Sequence, residues 1–295
     1  MIDPKATTTY AQYNEDLILS ALFGDVDKGF YVDVGANYPT IDSVTKLFYD
    51  KGWTGINIEP IKGLHKQLEQ KRPNDINLQC GAGQNSGSAT LREYKSVSGH
   101  STFDAEQKAS HDKALEYEDY EVPIKTLEAI FETNKVKHIH FLKVDVEGFE
   151  YEVVAGNNWK KYRPEVICIE ANHVTHDWRT ILDKNDYLFF IADGLNEYYI
   201  EKKAWKRTDN FAERIIDIDY HALKQHQWQS WSKDSEDLER LHATVAEQAA
   251  LIDSLQLTAQ ELEALSLKNR TYLSRLKRSA YGLTIDWVRH KKASK

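Results

Sequence analysis

The chain has 295 residues, of which 41% are hydrophobic and 28% charged, and its net charge is −8. This composition is typical of a folded globular protein and not of a disordered or membrane-spanning one. The charge is uneven, because residues 270–295 hold eight basic residues and one acid, which leaves −15 on residues 1–269. The acidic body argues against a nucleic-acid substrate, since neutralisation of phosphates dominates nucleic-acid binding.

The two cysteines, Cys80 and Cys168, lie in apolar runs and are predicted to be buried thiols. They give neither a disulfide framework nor a metal-binding spacing, which favours a reducing compartment. Residues 1–13 lack the features of a secretory signal, and no run approaches the roughly 20 apolar residues of a membrane span. We therefore expect a cytoplasmic protein.

Short apolar runs alternate with amphipathic stretches over the first two thirds of the chain, which predicts β-α-β units around a mostly parallel, buried sheet. The predicted parallel strands are 30–34, 55–58, 76–79, 139–144 and 166–170. Residues 187–192 and 197–201 flank a turn-rich connection and predict a closing hairpin, hence an antiparallel last strand. The sequence thus predicts a Rossmann-like α/β domain over residues 1–228.

Residues 94–121 are rich in Ser, His, Asp and Lys and follow no clean period, which predicts a loop or short helix lying over the edge of the sheet, as lids do.

The C-terminal part of the chain has a different pattern. Residues 234–280 keep a seven-residue apolar spacing over about five heptads, which predicts a coiled coil. Asn269 at a seam position favours a defined register and a small oligomer. One long helix folded back on the body is the alternative. Residues 281–295 form a basic amphipathic tail that can lie on an anionic membrane surface or remain solvated.

The strongest local signal is the end of the first predicted strand, where Asp33 is followed by Gly35 and Asn37. A glycine at this place lets the backbone approach a ligand closely at the carboxyl edge of the sheet. Glycines are missing at 37 and 40, so the dinucleotide fingerprint is absent, which argues against a pyrophosphate cradle. A ligand with an amino-acid moiety fits better.

The next two strands end in residues of the same kind. Glu59 ends the second strand, where an acid can accept hydrogen bonds from both hydroxyls of a ribose. The third strand runs into Gly81 and Ala82, whose small side chains leave room for a flat base. Ordinary turn chemistry explains each of these alone, but three successive strands ending so at one edge predict an adenosine-containing ligand.

The fourth and fifth strands end in carboxylates. Asp145 falls where the reacting end of the ligand would lie, and Glu147 and Glu150 follow it. Helix capping is the alternative role for those two glutamates. The fifth strand ends at Glu170, with Asn172 and His173 after it, and faces the same crevice.

With these motifs the sequence resembles the FkbM family of methyltransferases over residues 10 to about 211. The resemblance rests on the ordered segments 10–16, 32–37, 48–60, 101–102, 141–150, 163–164, 170–172 and 193–196. It implies a class I methyltransferase fold, with which the closing hairpin agrees, and S-adenosylmethionine as cofactor. Members commonly methylate hydroxyls of sugars or polyketides. The resemblance therefore implies a role in the synthesis of a cell-surface polysaccharide such as O-antigen, capsule or exopolysaccharide.

Carried over by position, the resemblance places Asp33, Gly35 and Asn37 along the methionine moiety of the cofactor. It places Glu59 at the ribose and Asp145 near the transferring methyl group. Gln12 would make a contact from a lid, although this chain has Ala11 and Asn14 where the family usually has serine and glycine.

A sugar hydroxyl needs a proton acceptor, because its neutral oxygen is a poor nucleophile. Asp145, His100 and His173 are candidate bases, of which Asp145 and His100 are favoured. Asp145, Glu170 and Asn172 also resemble the oxygen ligands of magnesium-dependent O-methyltransferases. Their spacing differs from the tight acid-amide pair expected there, so no metal ligand is assigned and magnesium stays an alternative.

Two other functions remain open: an NAD-dependent sugar-modifying enzyme and a non-catalytic scaffold of a polysaccharide assembly complex. The missing glycine fingerprint weakens the first, and the intact cofactor edge weakens the second. The coiled coil would join copies of the chain or bind a glycosyltransferase, and the basic tail would contact the inner face of a membrane.

Overall fold

The computed structural model describes residues 8–95, 98–110, 115–171, 177–216 and 224–225. Its strands are β1 (Thr8–Thr9), β2 (Phe30–Val34), β3 (Thr54–Ile58), β4 (Ile76–Leu78), β5 (Gly81–Ala82), β6 (Gly87–Tyr94), β7 (Tyr117–Lys125), β8 (Phe141–Val144), β9 (Val166–Glu170), β10 (Tyr187–Ala192), β11 (Asn196–Glu201) and β12 (Lys224–Gln225). Its α-helices are α1 (Glu15–Leu22), α2 (Lys46–Asp50), α3 (Lys62–Lys71), α4 (Ala105–Ser110), α5 (Leu127–Thr133), α6 (Glu150–Ala155), α7 (Arg179–Lys184) and α8 (Phe211–Ile216). Turns of 3-10 helix cover Ser98–His100 and Lys202–Thr208.

The central sheet has seven strands in the order β10-β11-β9-β8-β2-β3-β4. Strand β2 pairs in parallel with β3 and β8, β3 pairs in parallel with β4, and β8 does so with β9. Strand β11 is antiparallel to both β9 and β10. The mostly parallel sheet and its closing hairpin are therefore confirmed, and the predicted strand bounds differ from the observed ones by at most two residues.

Both faces of this sheet are covered by helices. Val32 and Leu142 pack with residues of α5, α6 and α7, whereas their chain neighbours Tyr31 and Phe141 pack with residues of α1 and α2. Successive side chains of a strand point to opposite faces, so burial on both sides explains the near-continuous apolar runs in the sequence. Cys168 lies in β9 within the second of these clusters, and both cysteines are buried and free, as predicted.

The two-residue period also brings charged residues together. Asp33 of β2 and Lys143 of β8 are direct neighbours across the parallel pair, and Asn57 of β3 is the neighbour of Asp33 on the other side. Asp33 and Lys143 share a face with Tyr31 and Phe141, because each lies two residues further along its strand, and Asn57 is on the same face as its neighbour Asp33. A row of polar groups thus crosses the sheet close to its carboxyl edge.

A buried guanidinium holds the loop that follows β2. Arg72, at the end of α3, donates from Nε to the carbonyl of Pro39 at 3.0 Å and from Nη2 to Oγ of Ser43 at 2.9 Å. Its Nη1 donates to the hydroxyl of Tyr31, which in turn donates to Asp75 at 2.6 Å. The network fixes the connection between β2 and α2 against the sheet.

The prediction of loop or short helix for residues 94–121 is partly wrong. A 3-10 turn and α4 occupy its middle, but Tyr117–Lys125 is strand β7, which pairs antiparallel with β6 over eight residues. Only Val122 and Ile124 of β7 are buried, so the strand has little apolar alternation to detect. Backbone pairing and the two-bond ion pair of Arg92 with Asp119 form this ladder instead.

Within the described part of the chain, no helix is long and apolar enough to cross a membrane. The predicted coiled coil (234–280) and basic tail (281–295) lie outside the described residues, as do Asn172 and His173.

Candidate active site

The loops that follow three parallel strands meet at Gly35. Its φ is +78°, and a Cβ atom there would lie 1.8 Å from the carbonyl oxygen of Asp145. The amides of Gly35 and Ala36 donate to the carbonyl of Ile58 at 3.0 and 3.2 Å. Only glycine accommodates both the left-handed conformation and this close approach. Gly35 therefore joins the ends of β2, β3 and β8 through backbone contacts, and its close approach to a ligand stays a prediction.

Glu59 connects two of these loops through its carboxylate. Oε2 accepts a hydrogen bond from the amide of Asn37 and Oε1 accepts one from the amide of Ile61, both at 2.8 Å. The residue is 3% exposed, and burial raises the pKa of its carboxyl to about 7, although the two amides act to lower it. Each carboxylate oxygen has a second lone pair, so Glu59 can still accept hydrogen bonds from a ligand hydroxyl.

Lys143 is a buried cation that sequence reasoning missed. Its Nζ donates to the carbonyl of Gly35 at 3.1 Å and lies 3.1 Å from Oδ2 of Asp145 and 3.7 Å from Oδ1 of Asp33. Burial acts to lower the pKa of Lys143, but Asp145 and Asp33 outweigh it and the pKa is raised. The sequence held one signal, a lysine inside the apolar run of β8.

Asp33 is held from two sides beneath the Gly35 turn. Its Oδ2 accepts a hydrogen bond from Oγ1 of Thr45 at 2.9 Å, whereas Oδ1 has no hydrogen-bond donor among the described residues. Burial raises the pKa of Asp33, and Lys143 opposes that rise. One buried carboxylate oxygen of this turn is thus left without a hydrogen bond.

Three carboxylates gather beyond the ends of β8 and β9. Asp145, Glu147 and Glu170 each place one oxygen within 4.8 Å of the others. Burial raises the pKa of Glu147 to about 8 and that of Glu170 to about 11, and the neighbouring Asp145 is the next cause in both cases. We call these three residues the carboxylate cluster.

Glu150 has the capping role that was the alternative for it. Its Oε1 accepts hydrogen bonds from the amides of Val146 and Gly148, both at 3.1 Å, at the start of α6. Burial raises its pKa to about 7. Glu147 differs, because it has a φ of 53° and its carboxylate belongs to the carboxylate cluster.

The segment that contains His100 lies against the loops of this edge. A Cβ at Gly99 would be 3.6 Å from Nδ2 of Asn37, and Oγ1 of Thr102 donates to the carbonyl of Glu147 at 2.7 Å. His100 itself is exposed. The segment therefore spans from the β2 loop to the β8 loop, with the imidazole at its rim.

The N-terminal segment reaches the same edge from the other side. Oε1 of Glu15 accepts a hydrogen bond from Nδ2 of Asn196 at 3.2 Å, and the adjoining turn contacts the end of β9 through the amide of Ala171 and the carbonyl of Leu195 at 2.9 Å. Burial, then the nearby Asp193, raises the pKa of Glu15 to about 8. Gln12 lies in the bend just before α1 and is exposed.

A family model described as "Methyltransferase FkbM domain" matches residues 33–189. The chain belongs to the FkbM methyltransferase family. A protein named Methyltransferase 1 from Beauveria bassiana (strain ARSEF 2860) is 29% identical over 147 residues, which are 44% of this chain and 59% of that relative. The aligned part therefore spans less than two thirds of the relative's length.

In this FkbM methyltransferase the structure brings together five of the predicted site residues: Asp33, Gly35, Asn37, Glu59 and Asp145. All of them lie inside the matched range, whereas Gln12 lies outside it.

The remaining predicted residues, Gly81 and Ala82, form β5 and pair with β7. A Cβ at Gly81 would lie 2.6 Å from Ile124 and 2.9 Å from Phe103, so the glycine packs closely against these two side chains. That Gly81 and Ala82 leave room for a flat base stays a prediction.

Proposed function

We propose that this FkbM methyltransferase transfers a methyl group from S-adenosylmethionine to a hydroxyl of a sugar during synthesis of a cell-surface polysaccharide. The observation that carries the proposal is the junction at Gly35, where Glu59 holds the β2 and β3 loops through backbone amides beside the carboxylate cluster. One edge thereby offers a site for an adenosine-containing donor next to a site for a polyol.

On the donor side, the residues present fit the group. Glu59 can accept hydrogen bonds from ribose hydroxyls, the Gly35 turn presents backbone without a side chain, and Asp33 has an oxygen that no described donor occupies. S-adenosylmethionine supplies an electrophilic methyl group on a positively charged sulfur. The excess of carboxylates over Lys143 at this edge favours a cationic ligand.

On the acceptor side, Asp145 is our proposed base. Buried Lys143 contacts Oδ2 of Asp145 and orients this carboxylate. The side chain of Asp145 is 33% exposed and is therefore open to a substrate. Asp145 can take the proton of the reacting hydroxyl, and Glu147 and Glu170 can accept hydrogen bonds from neighbouring hydroxyls. An anionic acceptor would meet repulsion here, which supports a neutral sugar. His100 at the rim is the second candidate base.

We also propose that residues 234–280 join copies of the chain or bind a glycosyltransferase, and that residues 281–295 contact an anionic membrane. Light scattering of the full chain tests the first part, because a monomer at micromolar concentration would rule out self-association.

The donor is tested by isothermal titration of the full chain with S-adenosylhomocysteine and, separately, with NAD. We expect saturable binding of the first only, weakened about 10-fold or more in Asp33→Ala and Glu59→Ala because each loses a charged hydrogen-bond partner. Glu69→Ala on the exposed side of α3 is the matched control and should bind as wild type. Binding of NAD alone would refute the proposal, and binding of neither would favour the scaffold.

The base is tested with acceptor sugars by following release of S-adenosylhomocysteine. Asp145→Asn should lose about 100-fold or more in turnover with little change in donor binding, because general base catalysis is typically worth about 10²–10⁴. If His100→Ala shows that loss and Asp145→Asn does not, His100 is the base.

A further inference from the structure

The carboxylate cluster contains a buried oxygen that nothing in the described chain satisfies. Glu170 is 6% exposed, and its Oε2 has no hydrogen-bond donor among the described residues. A buried polar atom without a partner costs free energy, and such atoms are rare in native proteins. The same carboxylate places an oxygen within 4.8 Å of one oxygen each of Asp145 and Glu147. Glu170 therefore lacks a positively charged or hydrogen-donating group among the described residues.

Lys143 is a cation in contact with the cluster, but it does not fill this need. Lys143 touches the cluster at Asp145, and its other contacts are Gly35 and Asp33. The ammonium group of Lys143 is therefore already divided between two aspartates and does not satisfy Oε2 of Glu170.

We propose that Asp145, Glu147 and Glu170 bind a divalent cation with a preference for oxygen ligands, Mg²⁺ or Mn²⁺. The donor set suits such an ion, since hard cations select carboxylate oxygens, and Mg²⁺ commonly keeps several waters beside one or two carboxylates. Asp145 is open to a substrate, so an acceptor oxygen can replace one of these waters. That last step rests on the proposed function, whereas cation binding does not.

The spacing of the three oxygens agrees with one shared ion. With metal–oxygen bonds of about 2.1 Å, octahedral ligands lie about 3 Å apart when adjacent and about 4.2 Å apart when opposite. The cluster oxygens lie within 4.8 Å of one another, so shifts of some tenths of an ångström to about one ångström close the site. Side-chain torsions of two glutamates can supply such shifts.

A second group of potential ligands shows the contrast. His138, His140 and Glu165 lie equally close at the opposite edge of the sheet. However, Nδ1 of His140 accepts the amide of Phe30, and Glu165 accepts from Arg207 while pairing with His138. A neutral His140 then carries its proton on Nε2 and has no free lone pair for a metal. The members of this second group are satisfied by the protein, whereas Oε2 of Glu170 in the carboxylate cluster has no hydrogen-bond donor among the described residues.

The test is binding of Mn²⁺ to the full chain, followed by electron paramagnetic resonance of free Mn²⁺ and without any methyl acceptor. We expect one site per chain, competed by Mg²⁺ and weakened at least about 10-fold in Glu170→Gln and Glu147→Gln, since even outer-shell changes cost about 10–100-fold in affinity. Asp183→Asn, on an exposed carboxylate of α7, is the control for lost charge and should bind as wild type.

Absence of saturable Mn²⁺ binding in wild-type protein would overturn the proposal, as would unchanged affinity in both glutamine variants. Binding of S-adenosylhomocysteine is measured on the same samples. Cation binding without donor binding would support the cation site and contradict the proposed function. Donor binding without cation binding would support the proposed function and contradict the cation site. If Glu170→Gln does not fold, Glu147→Gln, which is less buried, decides the assignment.

Discussion

Replacing Lys143 with methionine should destabilise the protein through Asp33. The substitution keeps most of the side-chain volume but leaves Asp33, which is 1% exposed, with Thr45 as its remaining hydrogen-bond partner. Removing one partner of a buried ion pair costs about 3–5 kcal/mol, because the other charge stays buried and unpaired. For a domain of roughly 200 residues this lowers the melting temperature by about 6–20 °C.

The loss should depend on pH with a definite sign. Burial already raises the pKa of Asp33, and Lys143 opposes that rise, so the variant has a still higher pKa in the folded state. A carboxyl whose folded pKa exceeds its unfolded value near 4 destabilises the fold progressively as pH increases above that value. Denaturant unfolding should therefore show a smaller deficit at about pH 5 than at about pH 8.

Two further variants isolate the cause. Asp33→Asn combined with Lys143→Met should recover much of the lost stability, because no fully buried charge is left unpaired and Asp145, which also loses Lys143, is 33% exposed. Lys161→Met breaks an exposed pair with Glu132 and should leave the stability nearly unchanged. A deficit that is independent of pH and unchanged by Asp33→Asn would refute this reasoning.

Three other outcomes follow from the site. Gly35→Ala should abolish donor binding or unfold the protein, because the added Cβ would meet the carbonyl of Asp145. Gly63→Ala is the control, since an added Cβ there has no described neighbour within 4 Å. It should leave thermal stability and donor binding unchanged or slightly improved. Glu59→Gln should lower the free energy of unfolding by about 1.5–3 kcal/mol in denaturant titration, since the amide can accept only one of the two loop amides. The stability of the wild-type protein should fall as pH rises from about 4 to 7, because the folded pKa values of Glu59 and Glu150 are near 7. In that range the folded state holds protons that the unfolded state releases. A rise in stability over the same range would contradict this prediction.

The strands and the donor half of the site could be predicted because both depend on local patterns. A buried parallel strand is a short apolar run, and its last residues and the residue after it lie at the carboxyl edge, so Asp33, Glu59 and Asp145 could be placed without knowing the sheet order. The role of Lys143 could not be predicted from the sequence. Its partners come from β2 and from the end of its own strand, so they depend on the order of strands in the sheet.

Other differences have equally physical origins. Strand β7 is exposed on most of its length, so it gives no period, and its pairing with β6 supplies the order that burial does not. Glu147 and Glu150 look alike in sequence, but the left-handed backbone at 147 and 148 decides which carboxylate turns to the helix amides and which to the crevice.

The excess of carboxylates at this edge of the sheet is a property of the protein without its ligands, and it is not a source of stability. Burial raises the pKa of Glu59, Glu147 and Glu170 because it disfavours their charged forms, which a bound cation or a hydrogen-bond donor would favour. Ligands that bind only the folded state add their binding free energy to its stability. A cationic donor beside Glu59 and a divalent ion in the carboxylate cluster would each remove part of the same electrostatic cost and would repel each other, so binding of either should weaken binding of the other.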